Sequence, residues 1–150
     1  MRVYLDNCCY NRPYDDQSQL LVSLEAQSKM MIQNMIKSGQ LELATSYMLR
    51  YENGRNPYEM RKTRIAGFMD NYETAFVSIE SEATAEKMAK AIMATGVKHA
   101  DAVHVACSII SECRYFLTTD KRLLKYKTNK VKIMTPIDFI QMIGDEEHDE

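Results

Sequence analysis

The chain has 150 residues, 45% of them apolar and 27% charged, and a formal net charge of −2. That is one domain's worth of chain, with apolar residues enough for one ordinary core and a charge that does not advertise nucleic-acid binding. No apolar run approaches the roughly 18 residues of a membrane span, and the strand pattern RVYLD begins at once without a signal-peptide layout, so a cytoplasmic protein with no membrane segment is expected.

In chain order, Val3–Leu5 reads as a first strand and NRPYDDQ as a turn, with Asp15 or Asp16 placed to cap the next helix. From Gln17 to Ser38, Leu20, Leu21, Leu24, Ser28, Met31, Ile32, Met35 and Ile36 recur at helical spacing. Leu41–Thr45 is a second strand, and Ser46 can cap a short helix that Asn53-Gly54 and Asn56-Pro57 break. Tyr58–Tyr72 is a base-rich helix, and Ala75–Ile79 a third strand. Ser81 can cap a helix ending near Gly96, and a strongly apolar helix runs from Ala100 to Glu112. Tyr115–Leu117 is a fourth strand, Lys121–Tyr126 a short helix and Val131–Met134 a fifth strand. Pro136 suits the first turn of a last helix reaching Ile143. Strands alternating with helices imply βαβ units, hence an α/β fold of three layers, α/β/α, around a central, mostly parallel, five-stranded sheet. The domain is expected over residues 1–144, followed by an acidic disordered tail, 145–150.

The tail DEEHDE holds five acids, and taking them away from the net charge of −2 leaves +3 on the rest of the chain. Bases gather in two clusters. One is Arg50, Arg55, Arg61, Lys62 and Arg64; the other is Lys121, Arg122, Lys125, Lys127, Lys130 and Lys132. Each is readable as a phosphate-gripping rim or as a solvated helix face. The four cysteines include no C-x-x-C pair and read as reduced packing residues. None of the five glycines falls in a GxxxxGK or GxGxxG pattern, which argues against a nucleotide-binding domain of either type.

Four isolated acids stand just past predicted strands or at a predicted helix start: Asp6, Glu52, Asp101 and Asp120. Beyond the carboxyl ends of parallel strands the loops share one rim, so carboxylates distant in sequence can meet there. Four at one point repel each other unless a cation lies between them, and all-oxygen sites suit Mg²⁺ or Mn²⁺. A metal-dependent phosphodiesterase is the leading expectation. Each acid also has a local explanation: Asp6 as an Asx-turn residue, Asp101 at the positive end of its helix, Asp120 as a cap, Glu52 solvated or paired with an Arg. Asp101 opens the apolar stretch ADAVHVACSII, too greasy for a surface helix, so its carboxylate should be partly buried. Asp15, Asp16 and Glu25 also lie near the presumed rim, with Glu25 expected to pair with Lys29 one turn on.

With VYLDN, SYMLRYE, HADAVHVA and FLTTD in this order, the chain resembles the PIN-domain nucleases, whose smallest members include the toxin ribonucleases of bacterial toxin–antitoxin pairs. The resemblance extends to about Gly144. It implies a PIN-like fold, a catalytic quartet of Asp6, Glu52, Asp101 and Asp120, and Mg²⁺ or Mn²⁺ held by Asp6, Asp101 and Asp120. Thr118 matches a hydroxyl two residues before the last acid. Asn7 departs from the Ser or Thr that often follows the first Asp, yet can orient a carboxylate or a water. His104, one turn past Asp101, is either a supporting group or a packed histidine. Arg50, Arg55, Lys121 and Arg122 would grip the backbone. The implied substrate is RNA, and the implied partners are a small antitoxin protein and a second copy in a homodimer. The alternative is a catalytically inactive PIN-like module that binds RNA or protein.

Overall fold

Val3, Tyr4 and Leu5 form an apolar triplet with no polar residue between them, so a strand built from them needs cover on both faces, and all three are fully buried. The structure, a computed structural model, describes residues 1–148. Five strands, β1 (Arg2–Leu5), β2 (Glu42–Ser46), β3 (Glu73–Val77), β4 (Tyr115–Leu117) and β5 (Lys132–Met134), form one sheet in the order β3-β2-β1-β4-β5. Every neighbouring pair is parallel, and Tyr4 lies between Ala44 of β2 and Phe116 of β4. The expected α/β fold is the one observed.

Among the described residues, seven α-helices connect and cover the strands: α1 (Asn7–Asn11), α2 (Leu20–Lys37), α3 (Tyr47–Gly54), α4 (Glu59–Tyr72), α5 (Glu82–Met93), α6 (His99–Ile110) and α7 (Pro136–His148). Helix α2 packs on α7, and α5 on α6. Right-handed crossovers, the rule for parallel strands, put α2 and α4 on one face of the sheet and α5 and α6 on the other, while α3 touches both α4 and α6. The chain leaves β1 towards β2 but leaves β4 towards β5. The adjacent strands β1 and β4 therefore flank the point where strand order reverses, the place where open α/β sheets take ligands.

Several boundaries differ from the sequence expectation. NRPYDDQ is not all turn: Asp6 accepts from the Asn7 amide and caps α1, and Arg12–Tyr14 forms a 3₁₀ turn behind it. Neither Asp15 nor Asp16 caps α2, which starts at Leu20 after an uncapped Gln19; Asp16 instead accepts from the Ser18 amide in a local turn. Ser46 caps α3 as expected, whereas the Ser81 side chain makes no cap bond to α5. Only Leu123–Lys125 of the expected Lys121–Tyr126 helix is regular, as one 3₁₀ turn. Residues 145–148, expected in a disordered tail, continue α7, whose Phe139 is fully buried with Ile140, Met142 and Ile143 packed against the core. Residues 149 and 150 of that tail lie outside the described residues. No helix among the described residues is long and apolar enough to cross a membrane.

Candidate active site

Asp6 is the residue that follows the central strand. Its amide donates to Leu117 O of β4 (3.0 Å), which prolongs the β1–β4 ladder by one step and fixes the carboxylate at the switch point. Asp6 is 6% exposed, and both carboxylate oxygens are oriented: Oδ1 accepts from the Asn7 amide (2.8 Å) and Oδ2 from the Thr118 hydroxyl (2.9 Å). Thr118 Oγ1 in turn accepts from the Asp120 amide (3.1 Å). One buried threonine thus ties the first acid to the loop bearing the last. Asp120 also closes the local turn expected of it, with Oδ1 accepting from the amides of Arg122 (2.9 Å) and Leu123 (3.4 Å).

Glu52 is tied to the helix that carries Asp101. Glu52, on α3, hydrogen-bonds His104 Nε2 on α6, three residues beyond Asp101. His104 is fully buried, and its Nδ1 lies 2.6 Å from the Tyr4 hydroxyl, itself 2.6 Å from Ser46 Oγ. Ser46 Oγ accepts from the Leu49 amide (3.2 Å) as the cap of α3. A carboxylate only accepts, so Nε2 carries the proton shared with Glu52. With neutral imidazole the chain then has one direction: Ser46 donates to Tyr4, Tyr4 to Nδ1, and Nε2–H to Glu52. Burial opposes charge on His104, but its bond to Glu52 and the fields of Asp6, Glu52 and Asp101 outweigh that and raise its pKa. Glu52 is therefore paired with a histidine rather than an arginine or solvent alone.

Asp101 stands in the first turn of α6, half-buried as its apolar helix requires. Burial first, then the negative charge of Asp6 and Asp120, pushes its carboxyl up to about 6; His104 pulls the other way, and Glu52 adds to the rise. Four carboxylates from the end of β1, from α3, from α6 and from the loop after β4 therefore share one electrostatic environment. Among the described residues, no three His, Cys, Asp or Glu side chains already stand together as a cage for an ion. The donor set is still all-oxygen, and three of its members, Glu52, Asp101 and Asp120, are partly exposed. The repulsion that adds to burial in lifting Asp101 is what a hard dication relieves, so the residues fit one in charge and donor type.

The surrounding residues divide clearly. The Asn7 side chain turns to Asn11 (Oδ1 to Nδ2, 3.2 Å), so its contribution to Asp6 comes from its amide. Arg50 is engaged by Asp70 (2.6 Å) and Glu73 (2.9 Å), and Arg55 donates to Tyr51 Oη (2.9 Å); neither guanidinium stands free over the acids. Lys121 and Arg122 are exposed, and Arg122 joins Asp101 in lining a cavity of about 470 Å³. Glu25 does not pair with Lys29. It is 3.4 Å from Arg12 Nε, while Lys29, 3% exposed, lies over the rings of Tyr10 (5.4 Å) and Phe68 (5.9 Å). Arg12 also donates to Thr119 Oγ1 (2.7 Å), beside Asp120, so it braces the loop from the far side. All four cysteines are free; Cys8 is 3.5 Å from both Asp6 Oδ2 and Thr118 Oγ1.

Sequence reasoning missed Tyr4, Ser46 and Arg12 as members of this network. Tyr4 carried a signal, since a tyrosine in a strand buried on both faces needs a partner for its hydroxyl. The partners of Arg12 carried none, because Thr119 is 107 residues away.

No family model and no curated protein matches the sequence. Among solved structures, a chain of VapBC2 from Rickettsia felis, bound to a DNA fragment from their promoter, matches with a TM-score of 0.53 and 9% identity over 89% of this chain and 97% of that one. At that identity the likeness is one of fold, and it agrees with the expected α/β architecture around a parallel five-stranded sheet.

Proposed function

We propose that this protein is a metal-dependent endoribonuclease in which Asp6, Glu52, Asp101 and Asp120 form the catalytic group. The observation that carries the reading is the pair of hydrogen-bond links across the sheet. Asp6 is tied through Thr118 to Asp120, and Glu52 through His104 to the helix of Asp101. Asp6 caps a helix and Asp120 closes a turn, but neither role calls for the Thr118 link between their segments or for the Glu52–His104 bond on the helix of Asp101.

Asp6, Asp101 and Asp120 are the residues to hold Mg²⁺ or Mn²⁺. Such an ion supplies Lewis acidity at the phosphate and a water of lowered pKa. The protein's own part is orientation. The Asn7 amide and the Thr118 hydroxyl leave Asp6 one fixed direction, and the His104–Tyr4–Ser46 chain holds Glu52 where it can complete the site or accept a proton from an attacking water. Cations on the rim hold the backbone of the RNA. Because the Rickettsia felis neighbour is a VapBC2 assembly, the proposal extends to a toxin role, with a small antitoxin partner and a homodimer. Purification of the native protein from its own host tests that extension: a small co-purifying protein is expected, and a lone chain removes the toxin role.

The central test is calorimetric titration of Mn²⁺ into EDTA-treated protein beside Asp6→Asn and Asp101→Asn, followed by cleavage of a labelled RNA. Saturable binding lost in both variants, with metal-dependent cleavage, is the expected result. A wild type that binds no Mn²⁺ overturns the catalytic reading and leaves a PIN-like binding module.

A further inference from the structure

The two basic clusters of the sequence have different fates. In the first, Arg50 is held by two carboxylates, Arg61 lies 3.8 Å from Asp15 and over the Tyr14 and Tyr58 rings, and Lys62 lies 3.9 Å from Glu59. Those charges are largely compensated where they stand. The second cluster is not compensated. Arg122, Lys125 and Lys127 meet Lys98, from the α6 approach, around the cavity of about 470 Å³ whose wall includes Asp101. Among the described residues none of these four cations has a carboxylate within 4 Å.

Four uncompensated cations around one concavity focus a positive potential that calls for a polyanion. The volume lies in the range of about 300–1,000 Å³ typical of pockets for a single small ligand. Tyr126 adds a partly exposed ring to the wall, and aromatic rings stack with bases whatever their sequence. The cavity is also registered to the acids, because the turn that bonds the Arg122 amide to Asp120 Oδ1 sets Arg122 beside them.

We propose that this cavity is the subsite for the nucleotide adjoining the phosphate presented to the four acids, in a single-stranded nucleic acid, with Lys98, Arg122, Lys125 and Lys127 on its backbone phosphates and Tyr126 against its base. This rests on the nuclease reading for the position of the reacting phosphate. The subsite orients the strand in one direction, from the acid rim over the loop between β4 and β5.

The test is fluorescence anisotropy with a fluorescein-labelled single-stranded RNA 8-mer, and a DNA 8-mer of the same sequence, in Ca²⁺ at several salt concentrations. Lys125→Glu with Lys127→Glu is compared with Lys90→Glu with Lys132→Glu, which changes net charge equally at exposed positions outside the cavity. Expected are a loss of affinity of tenfold or more for the first pair, a change under threefold for the second, and a salt slope lowered by about 1.4 when two phosphate contacts are removed. RNA bound more tightly than DNA points to a ribose contact; equal binding points to phosphate and base alone, and both agree with the proposal. Equal losses in the two pairs, or no binding of either oligonucleotide by the wild type, overturn it. Cleavage is scored separately. A protein that binds through the cavity but never cleaves keeps the subsite and loses the nuclease reading. One that cleaves but ignores the Lys125 and Lys127 changes keeps the nuclease and loses the subsite.

Discussion

Asp101 carries a cost that its neighbours impose. Its carboxyl, raised to about 6, binds a proton in the folded state that the unfolded chain has already released. The stability it contributes is full below about pH 4 and lost as pH rises through 6. Asp101→Asn should therefore raise metal-free stability at pH 7 by about 1–2 kcal/mol, after allowing for solvent at this half-buried position, and flatten the curve between pH 4 and 6. Urea melts across that range decide it; a loss of several kcal/mol would mark Asp101 as a structural residue. Lys29 has the opposite sign. Burial lowers its pKa to about 7, so the unfolded state binds the extra proton and stability rises with pH from about 7 towards 10. Lys29→Met should gain about 1–3 kcal/mol at neutral pH and remove that slope, read by the same melts at pH 7 to 9.5. Tyr4→Phe strips one hydroxyl from between two buried polar groups, His104 Nδ1 and Ser46 Oγ, and should cost about 1–3 kcal/mol. A neutral result in thermal melts would mean that the two groups find other partners. At this scale the places of Asp6, Asp101 and Asp120 at strand ends or a helix start were legible, since position past a strand and helical phase are local properties; Glu52 stands late in α3 instead, and Thr118 was singled out only by the family resemblance. It misjudged Glu25 and Lys29 because their spacing of four residues promised a pair, whereas tertiary packing gave Glu25 to Arg12 and Lys29 to two aromatic rings.

Element by element, the legible features were those whose signal lies within the element. β4 was read to the residue, bounded by Arg114 and the Thr118-Thr119 pair, and Ser46 was recognised as a cap. α1 was hidden by Pro13 and two aspartates, which read as a turn, although Pro13 serves in the 3₁₀ turn after the helix and Asp6 supplies the cap before it. α7 outran its expected end because its apolar stripe docks on α2 and the acidic turn is carried along. Gly96 closes the segment after α5 with φ of +103°, and a Cβ there would meet nothing within 4 Å. The cost of Gly96→Ala is then backbone conformation alone, about 1–2 kcal/mol, with no packing defect. Thermal denaturation checks this, and because Gly96 also lines the basic cavity, oligonucleotide affinity should hold within a factor of two.

For the whole molecule, the strand order was beyond sequence reasoning. Nothing in VYL or YFL says that these two strands are neighbours, yet their adjacency creates the switch point and sets Asp6 beside Thr118. Stability should respond to metal as one unit. Mn²⁺ at a hundred times its dissociation constant should add about 2.7 kcal/mol to unfolding, and Asp6→Asn should abolish the gain. A melting temperature unmoved by saturating Mn²⁺ would separate the acids from any ion.

The pairing of β1 with β4 also sets when the four acids can come together during synthesis. Val3 waits for Tyr115, and Asp6 for a partner 112 positions later. At roughly 5–20 residues per second, a ribosome needs several seconds more to supply that partner after β1 has emerged. In the meantime β1 has only β2 beside it, and the four acids have no common rim. A nascent chain in which β4 has not yet emerged therefore has neither the β1–β4 ladder nor the Thr118–Asp6 hydrogen bond, and the proposed site closes only when most of the domain has been made.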